Sequence, residues 1–271
     1  MEIVFNAYLF LSTREGAKLF EYNKDINYDA YFKTFAYLEN CIMRSPESSK
    51  STLIKYLGNS SQDKSFAAYQ YLDRLKIRSA NEYLKYLKES PYYHTKLGAA
   101  QLLRKDPEGE RVLVNLLKDN TSANEVKKAC LIAIQEPMDK ETTDIVIKLL
   151  NNPDPGFRKI ALQMLSNRPD YCDLIKPLLR DNNRNIKIYI VYSIYNNPGK
   201  IYPLCLHYLQ DKDEGVASQA FISLEPYMDK RAIPHLEKLV ITTKNAEIRS
   251  RANDMLIKLK SKGHSRGDGK K

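Results

Sequence analysis

Apolar residues in this chain fall at helical spacing, and the same spacing returns about every thirty residues. Copies whose first residues are Phe32, Lys64, Thr95, Val126, Phe157, Ile186, Val216 and Ile248 follow one another at steps of 32, 31, 31, 31, 29, 30 and 32. Four positions into each copy stand Ala36, Ala68, Ala99, Cys130, Ala161, Ile190, Ala220 and Ala252. Eight positions in stand Asn40, Leu72, Leu103, Ile134, Leu165, Ile194, Leu224 and Leu256. Spacings of four and eight lie on one helical face. Six of the eight fourth positions are alanine in a chain with 18 alanines among 271 residues, so the position selects small size as well as low polarity. Helices that cross closely need this, because a side chain longer than a methyl holds them apart.

Each such helix, here type A, is followed by proline within two to four residues of its eighth position: Pro107, Pro137, Pro169, Pro198 and Pro226. Proline cannot continue a helix and biases its predecessor away from helical angles. A second helix, type B, then ends in an apolar pair: Tyr56-Leu57, Tyr86-Leu87, Leu116-Leu117, Leu149-Leu150, Leu178-Leu179, Tyr208-Leu209 and Leu239-Val240. Pro203 and Pro234 are expected near the starts of their B helices, where a missing N–H costs nothing. Pro177 falls later and should kink its helix or delay its start. A two-helix unit of thirty residues cannot bury its own apolar face, but stacked copies can. The pattern therefore predicts one all-α domain, a right-handed α-solenoid of seven to eight two-helix repeats over residues 31–257. An irregular helical cap at 1–30 precedes it and a disordered basic tail at 258–271 follows. The first copy is the weakest match.

The units Val126-Lys-Lys-Ala-Cys, Phe157-Arg-Lys-Ile-Ala and Ile248-Arg-Ser-Arg-Ala carry an acid or amide ahead of them, at Asp119, Asn152, Asp181 and Asp211. In this they resemble the short HEAT repeat, and more closely the HEAT-like repeat of phycobilisome lyases and their bacterial relatives. The resemblance covers residues 60–257 well and 30–60 poorly. It implies that the basic second position, here Lys127, Arg158, Lys187 and Arg249, pairs with the acid of an adjacent turn. Ala217 breaks that column.

Composition adjusts this picture little. Apolar residues at 43 % and charged residues at 28 % describe a folded chain with much solvated surface. Ten glycines and no tryptophan argue against a β-rich fold. The net charge is +10, but residues 258–271 hold six Lys/Arg against one Asp, so half the excess sits in the tail. Cys41, Cys130, Cys172 and Cys205 show no metal-type spacing and read as reduced core residues, not disulfides or zinc ligands. The N-terminal apolar run lacks a basic lead and is broken by Asn6, and nothing reaches the ~18 apolar residues of a membrane span. A cytoplasmic protein is the expectation.

The chemistry motifs are sparse. His94, His207, His235 and His264 have no following Glu, so the metal-binding His-Glu dipeptide of iron-dependent HEAT-type hydroxylases is missing. HEAT-like DNA glycosylases rely on tryptophan, which is absent here. A shared repeat type says little about bilin lyase activity. No phosphate-binding or nucleophile-elbow motif occurs. The reading is a non-enzyme without cofactor or metal.

Two biases point to binding. Lys85, Lys88, Lys118, Lys148, Arg180 and Lys238 flank the apolar pairs of the B helices. Stacking would align them as a basic strip for an acidic protein segment or for nucleic-acid backbone. The competing account is that a cation in a helix's last turn complements the helix dipole whatever it faces. Tyrosines gather in the first 93 residues, among them Tyr28, Tyr31, Tyr69, Tyr71, Tyr83, Tyr86, Tyr92 and Tyr93. A second group, Tyr189, Tyr192 and Tyr195, runs along one A helix. Exposed tyrosine anchors interfaces, but the favoured account is an N-terminal cap of bulkier, less regular repeats and a half-buried core. Arg266-Gly267-Asp268 in the tail reads as an accidental match to integrin ligands. The expected function is a protein-binding scaffold whose partner carries an acidic segment, with nucleic-acid binding, including glycosylase-like activity, as the alternative.

Overall fold

A computed structural model describes residues 2–12, 28–134, 139–196 and 198–261. Pro137, His264 and the Arg266-Gly267-Asp268 tripeptide lie outside the described residues, as do the side chains of Tyr28, Tyr31 and Phe32. The described residues form sixteen α-helices and five 3-10 segments, with no strand among them. Contacts divide the chain into two compact units, Met1–Pro137 and Met138–Lys271.

In the first unit α1 (Glu2–Ser12) packs on α2 (Tyr28–Arg44), and α3 (Pro46–Leu57) packs on α4 (Gln62–Arg74). Then follow α5 (Ala80–Glu89), α6 (Tyr93–Arg104), α7 (Gly109–Lys118) and α8 (Asn124–Ala133). The A-type helices α4, α6 and α8 pack in succession, and α5 and α7 pack on α6. Their small residues sit in the contacts: Ala68, Ala99 and Cys130 are all 0 % exposed. Two hydroxyls inside this core are satisfied, since those of Ser65 and Thr95 both donate to the Leu57 carbonyl, at 2.6 and 3.0 Å. The turn into α7 needs Gly109, where a Cβ would stand 1.8 Å from the Leu103 carbonyl oxygen.

The cap is aromatic. Phe5 is buried edge-on against Tyr56 and Tyr71, with ring centroids 5.0 and 6.2 Å apart. Tyr56, Tyr71 and Tyr83 belong to the core, Tyr69 and Tyr86 are half-buried, and Tyr92 and Tyr93 reach the surface. Most of the N-terminal tyrosines whose side chains are described are therefore packing residues.

In the second unit α9 (Lys140–Leu149) precedes α10 (Pro155–Leu165). Helix α11 (Tyr171–Ile175) continues as a 3-10 segment, Lys176–Arg180. Helix α12 (Arg184–Tyr192) passes into 3-10 Ser193–Tyr195, and α13 (Pro198–Cys205) into 3-10 Leu206–Gln210. Helices α14 (Glu214–Leu224), α15 (Ile233–Thr242) and α16 (Ala246–Ser261) complete the unit. Helix α10 packs on α12, α12 on α14 and α14 on α16. Ala161, Ile190, Ala220 and Ala252 lie between them, again 0 % exposed. Asp139, Asp154, Asn183 and Asp213 accept backbone N–H bonds at the starts of α9, α10, α12 and α14, which is why these helices begin where they do.

Four details differ from the sequence reading. In the first copy Ala36 and Asn40 are exposed, so the small-residue column starts at Ala68. Lys64, the nominal first position of the second copy, is also exposed, and Ser65 turns inward instead. Pro203 lies inside α13 and not at its start; lacking an N–H, it weakens the α pattern, and the helix tightens to 3-10 after Cys205. Finally, α16 runs to Ser261, where Leu259 is buried and Lys260 pairs with Glu237 at 2.8 Å. Residues 258–261 thus belong to the helix.

Candidate binding surface

The B-type segments end in exposed cations. In the first unit Lys85 and Lys88 stand three apart on α5, sharing a face, and Lys118 ends α7. A shallow depression beside Lys88 is lined by Asp119, Thr121, Ser122 and Val126. In the second unit Lys148 lies in the last turn of α9, Arg180 ends the 3-10 segment after α11, and Lys238 lies on α15. All six are exposed.

Among the described residues, five of the six, all but Lys118, have no ion-pair partner. Three cations on the A-type helices are neutralised, Arg158 by Asp181 and Lys187 by Asp211, each at 2.7 Å, and Arg251 by Glu225, whereas Lys64 and Lys159 on such helices are exposed without an ion pair among the described residues. In the first unit Lys105 pairs with Asp73 and Arg74 with Glu39. Among the described residues the side-chain cations of Lys85, Lys88, Lys148, Arg180 and Lys238 have no ion pair or hydrogen bond. Lys118 differs, since it does interact with another group.

The helix-end carbonyls are served by other bases. Lys96, 6 % exposed, donates to the carbonyls of Leu87 and Lys88 at 3.2 and 3.1 Å, closing the end of α5. Burial holds its ammonium below the ordinary lysine range, partly offset by Glu125. Arg249 donates to the carbonyl of Thr243, just past α15. Arg158 donates to those of Asn152 and Pro153, past α9, at 2.8 and 2.9 Å. Capping of the α5 carbonyls therefore does not require Lys88.

Lys96, Arg158, Lys187 and Arg249 all occupy the second position of their copies, so Lys96 belongs to the same basic column although the pairing expectation did not include it. The column does pair with the acid of the following turn twice, at Arg158–Asp181 and Lys187–Asp211. Where Ala217 interrupts it, the polarity reverses. Thr243 stands where Asp211 and Asp181 stood, and the Glu214 carboxylate reaches across to accept from the Thr243 hydroxyl and the N–H groups of Lys244 and Asn245, at 3.3, 2.7 and 2.8 Å.

The tyrosine group stands elsewhere. Tyr189 and Tyr192 lie on α12, while Tyr195 belongs to the 3-10 segment that follows and not to the helix itself. Tyr192 and Tyr195 are 44 % and 56 % exposed, and burial pushes the half-buried Tyr189 phenol up. They are carried by an A-type segment, whereas the cations are carried by B-type segments. The cysteines are free; Cys130 and Cys205 are buried, which pushes both thiols up to about 12. Among the described residues no helix is long and apolar enough to cross a membrane, and no group of three or more metal-binding side chains converges. No protein-family model matches the chain, and a search of curated proteins finds no match.

Proposed function

We propose that this chain is a non-enzymatic scaffold of HEAT-like repeats, stacked as a right-handed α-solenoid of seven to eight units, whose B-helix faces bind an acidic segment of another protein. One observation carries the reading: Lys85, Lys88, Lys148, Arg180 and Lys238, which recur beside the apolar pairs of the B-type segments, are exposed and have no ion pair among the described residues, while Arg158, Lys187 and Arg251 on the A-type helices are neutralised. Solvated cations with no internal partner gain nothing from ion pairing within the fold, and they remain available to carboxylates of a partner. The repeated burial of Ala68, Ala99, Cys130, Ala161, Ala220 and Ala252 supports the stacked-repeat part of the reading. Four free cysteines agree with a reducing, cytoplasmic setting.

Nucleic-acid backbone is a second ligand for the same cations, and salt separates the two. Binding duplex DNA through Z phosphates gives a log–log slope near −0.9Z. The test measures DNA affinity against salt for the full chain and for a chain ending at Ser261. Weak binding lost with residues 262–271 supports the protein-binding reading. Tight binding by the shortened chain, with a slope of about −5 or steeper, overturns it in favour of nucleic acid.

A further inference from the structure

Between Arg180 and Lys238 lies one repeat whose B-type segment, residues 198–210, contains no carboxylate. Where α9 and α15 carry Lys148 and Lys238, this segment carries His207. Its ring is exposed, yet both nitrogens are already engaged: Nδ1 is 2.7 Å from the Leu204 carbonyl oxygen and Nε2 is 3.3 Å from that of Leu179. Carbonyl oxygens only accept, so each contact needs an N–H. A neutral imidazole has one and the imidazolium has two. Only the charged ring completes both contacts.

The surroundings keep that charge available to a ligand. The Tyr208 hydroxyl also donates to the Leu179 carbonyl, at 2.8 Å, and holds it in place beside Arg180. The 3-10 segment Leu206–Gln210 packs on α13, α14 and α15. From α15 comes His235, whose Nδ1 lies 3.1 Å from Gln210 Nε2, and which burial and the neighbouring His207 hold below the ordinary histidine range. His235 thus accepts as a neutral ring. Lys238 and Glu237 are also on α15, the latter paired with Lys260. Helix α14 contributes Glu214, occupied by the 243–245 turn, and at its end Glu225, paired with Arg251. Helix α13 contributes Lys200, and the segment bearing Leu179 contributes Arg180 and Lys176, the latter paired with Asp173. Asp211, just past the segment, is held by Lys187, and the Cys205 and Tyr208 side chains are pushed up by burial. Every carboxylate in this set has a partner on its own chain.

We propose that the B-type face of the second unit docks an acidic polypeptide in a pH-dependent manner, with His207 taking up a proton as the partner's carboxylates arrive and completing the cationic row between Arg180 and Lys238. This rests on the protein-binding reading above and specifies the regulation of that surface.

The probe is a fluorescent ten-residue aspartate peptide, titrated with the full chain at pH 7.8 and 6.0 at fixed ionic strength. The wild type is expected to bind about three- to five-fold more tightly at pH 6.0, the worth of one added partly exposed charge pair. His207→Gln should match the wild type at pH 7.8 and lose the gain at pH 6.0. His207→Lys should bind at pH 7.8 as the wild type does at pH 6.0, and His235→Gln should retain the gain. Circular dichroism establishes that each variant is folded. If His207→Gln keeps the full pH gain, or His207→Lys binds no better than wild type at pH 7.8, the proposal is overturned while the binding reading stands. If wild type binds the peptide at neither pH, or Arg180→Glu together with Lys238→Glu binds undiminished, the binding reading itself fails.

Discussion

Arg158 and Asp181 meet in a two-point clamp: Nε and Nη2 of the guanidinium donate to the two carboxylate oxygens at 2.7 and 2.8 Å. The two residues belong to successive copies of the repeat, and their side chains are only 14 % and 6 % exposed. Planar, bidentate and largely dry, the pair is stronger than a surface ion pair. Arg158→Ala leaves the Asp181 carboxylate buried with only the Asn183 N–H, so a loss of about 2–3 kcal/mol is expected. Urea denaturation followed by circular dichroism measures it. Arg158→Lys should recover little, because an ammonium cannot present the two parallel donors.

The alanine column predicts a contrast within one residue type. Ala161→Leu and Ala220→Leu place three extra carbons where there is 0 % exposure. Overpacking of this kind costs about 1–3 kcal/mol. Ala36, at the nominally equivalent position of the first copy, is exposed, and Ala36→Leu should change stability by no more than about 0.5 kcal/mol. Equal losses at all three sites would mean that the column has been misread.

Glu214 takes over where the ladder of bases breaks. Glu214→Ala removes the acceptor for three donors at Thr243, Lys244 and Asn245. The donors are partly solvated, so the expected cost is about 1–2 kcal/mol. Hydrogen exchange should show the 243–245 amides losing protection in the variant, while those of α12 keep theirs.

Lys96 makes stability depend on alkaline pH. Its folded value lies below the 10.5 of the unfolded chain because the ammonium is buried. Between the lowered value and 10.5 the unfolded chain binds more protons, so this site's contribution to stability rises with pH across that window. The neutral amine still carries two N–H donors for the Leu87 and Lys88 carbonyls. Lys96→Met strands both carbonyls at a cost of about 1–3 kcal/mol. The stability difference between wild type and variant should grow as pH rises through that window, read from urea midpoints at successive pH values.

What the sequence made legible follows from periodicity. Burial at Ala99, Cys130, Ala161 and Ala220 recurs at a fixed interval, and a recurring environment leaves a recurring residue type. The 3-10 segments after α11 and α13 were harder to read, because a proline inside a short helix can kink, delay or tighten it, and neighbouring packing decides which. The role of Glu214 was hidden because it compensates for two substitutions at once, Ala217 and Thr243, in different copies. Most of all, the candidate surface depends on which cations lack partners. Lys187 and Lys238 look alike along the chain, and only their surroundings distinguish a neutralised lysine from a free one.

The most direct test of the account charge-reverses the unpaired cations of one unit. Lys148→Glu, Arg180→Glu and Lys238→Glu are combined in the full chain, and equilibrium binding of the aspartate peptide is compared with that of wild type at pH 6.0. The account predicts an intact fold and an affinity at least about tenfold weaker, three exposed pairs having turned from attraction to repulsion. Unchanged affinity, or a loss produced equally by deleting residues 262–271 alone, would contradict it.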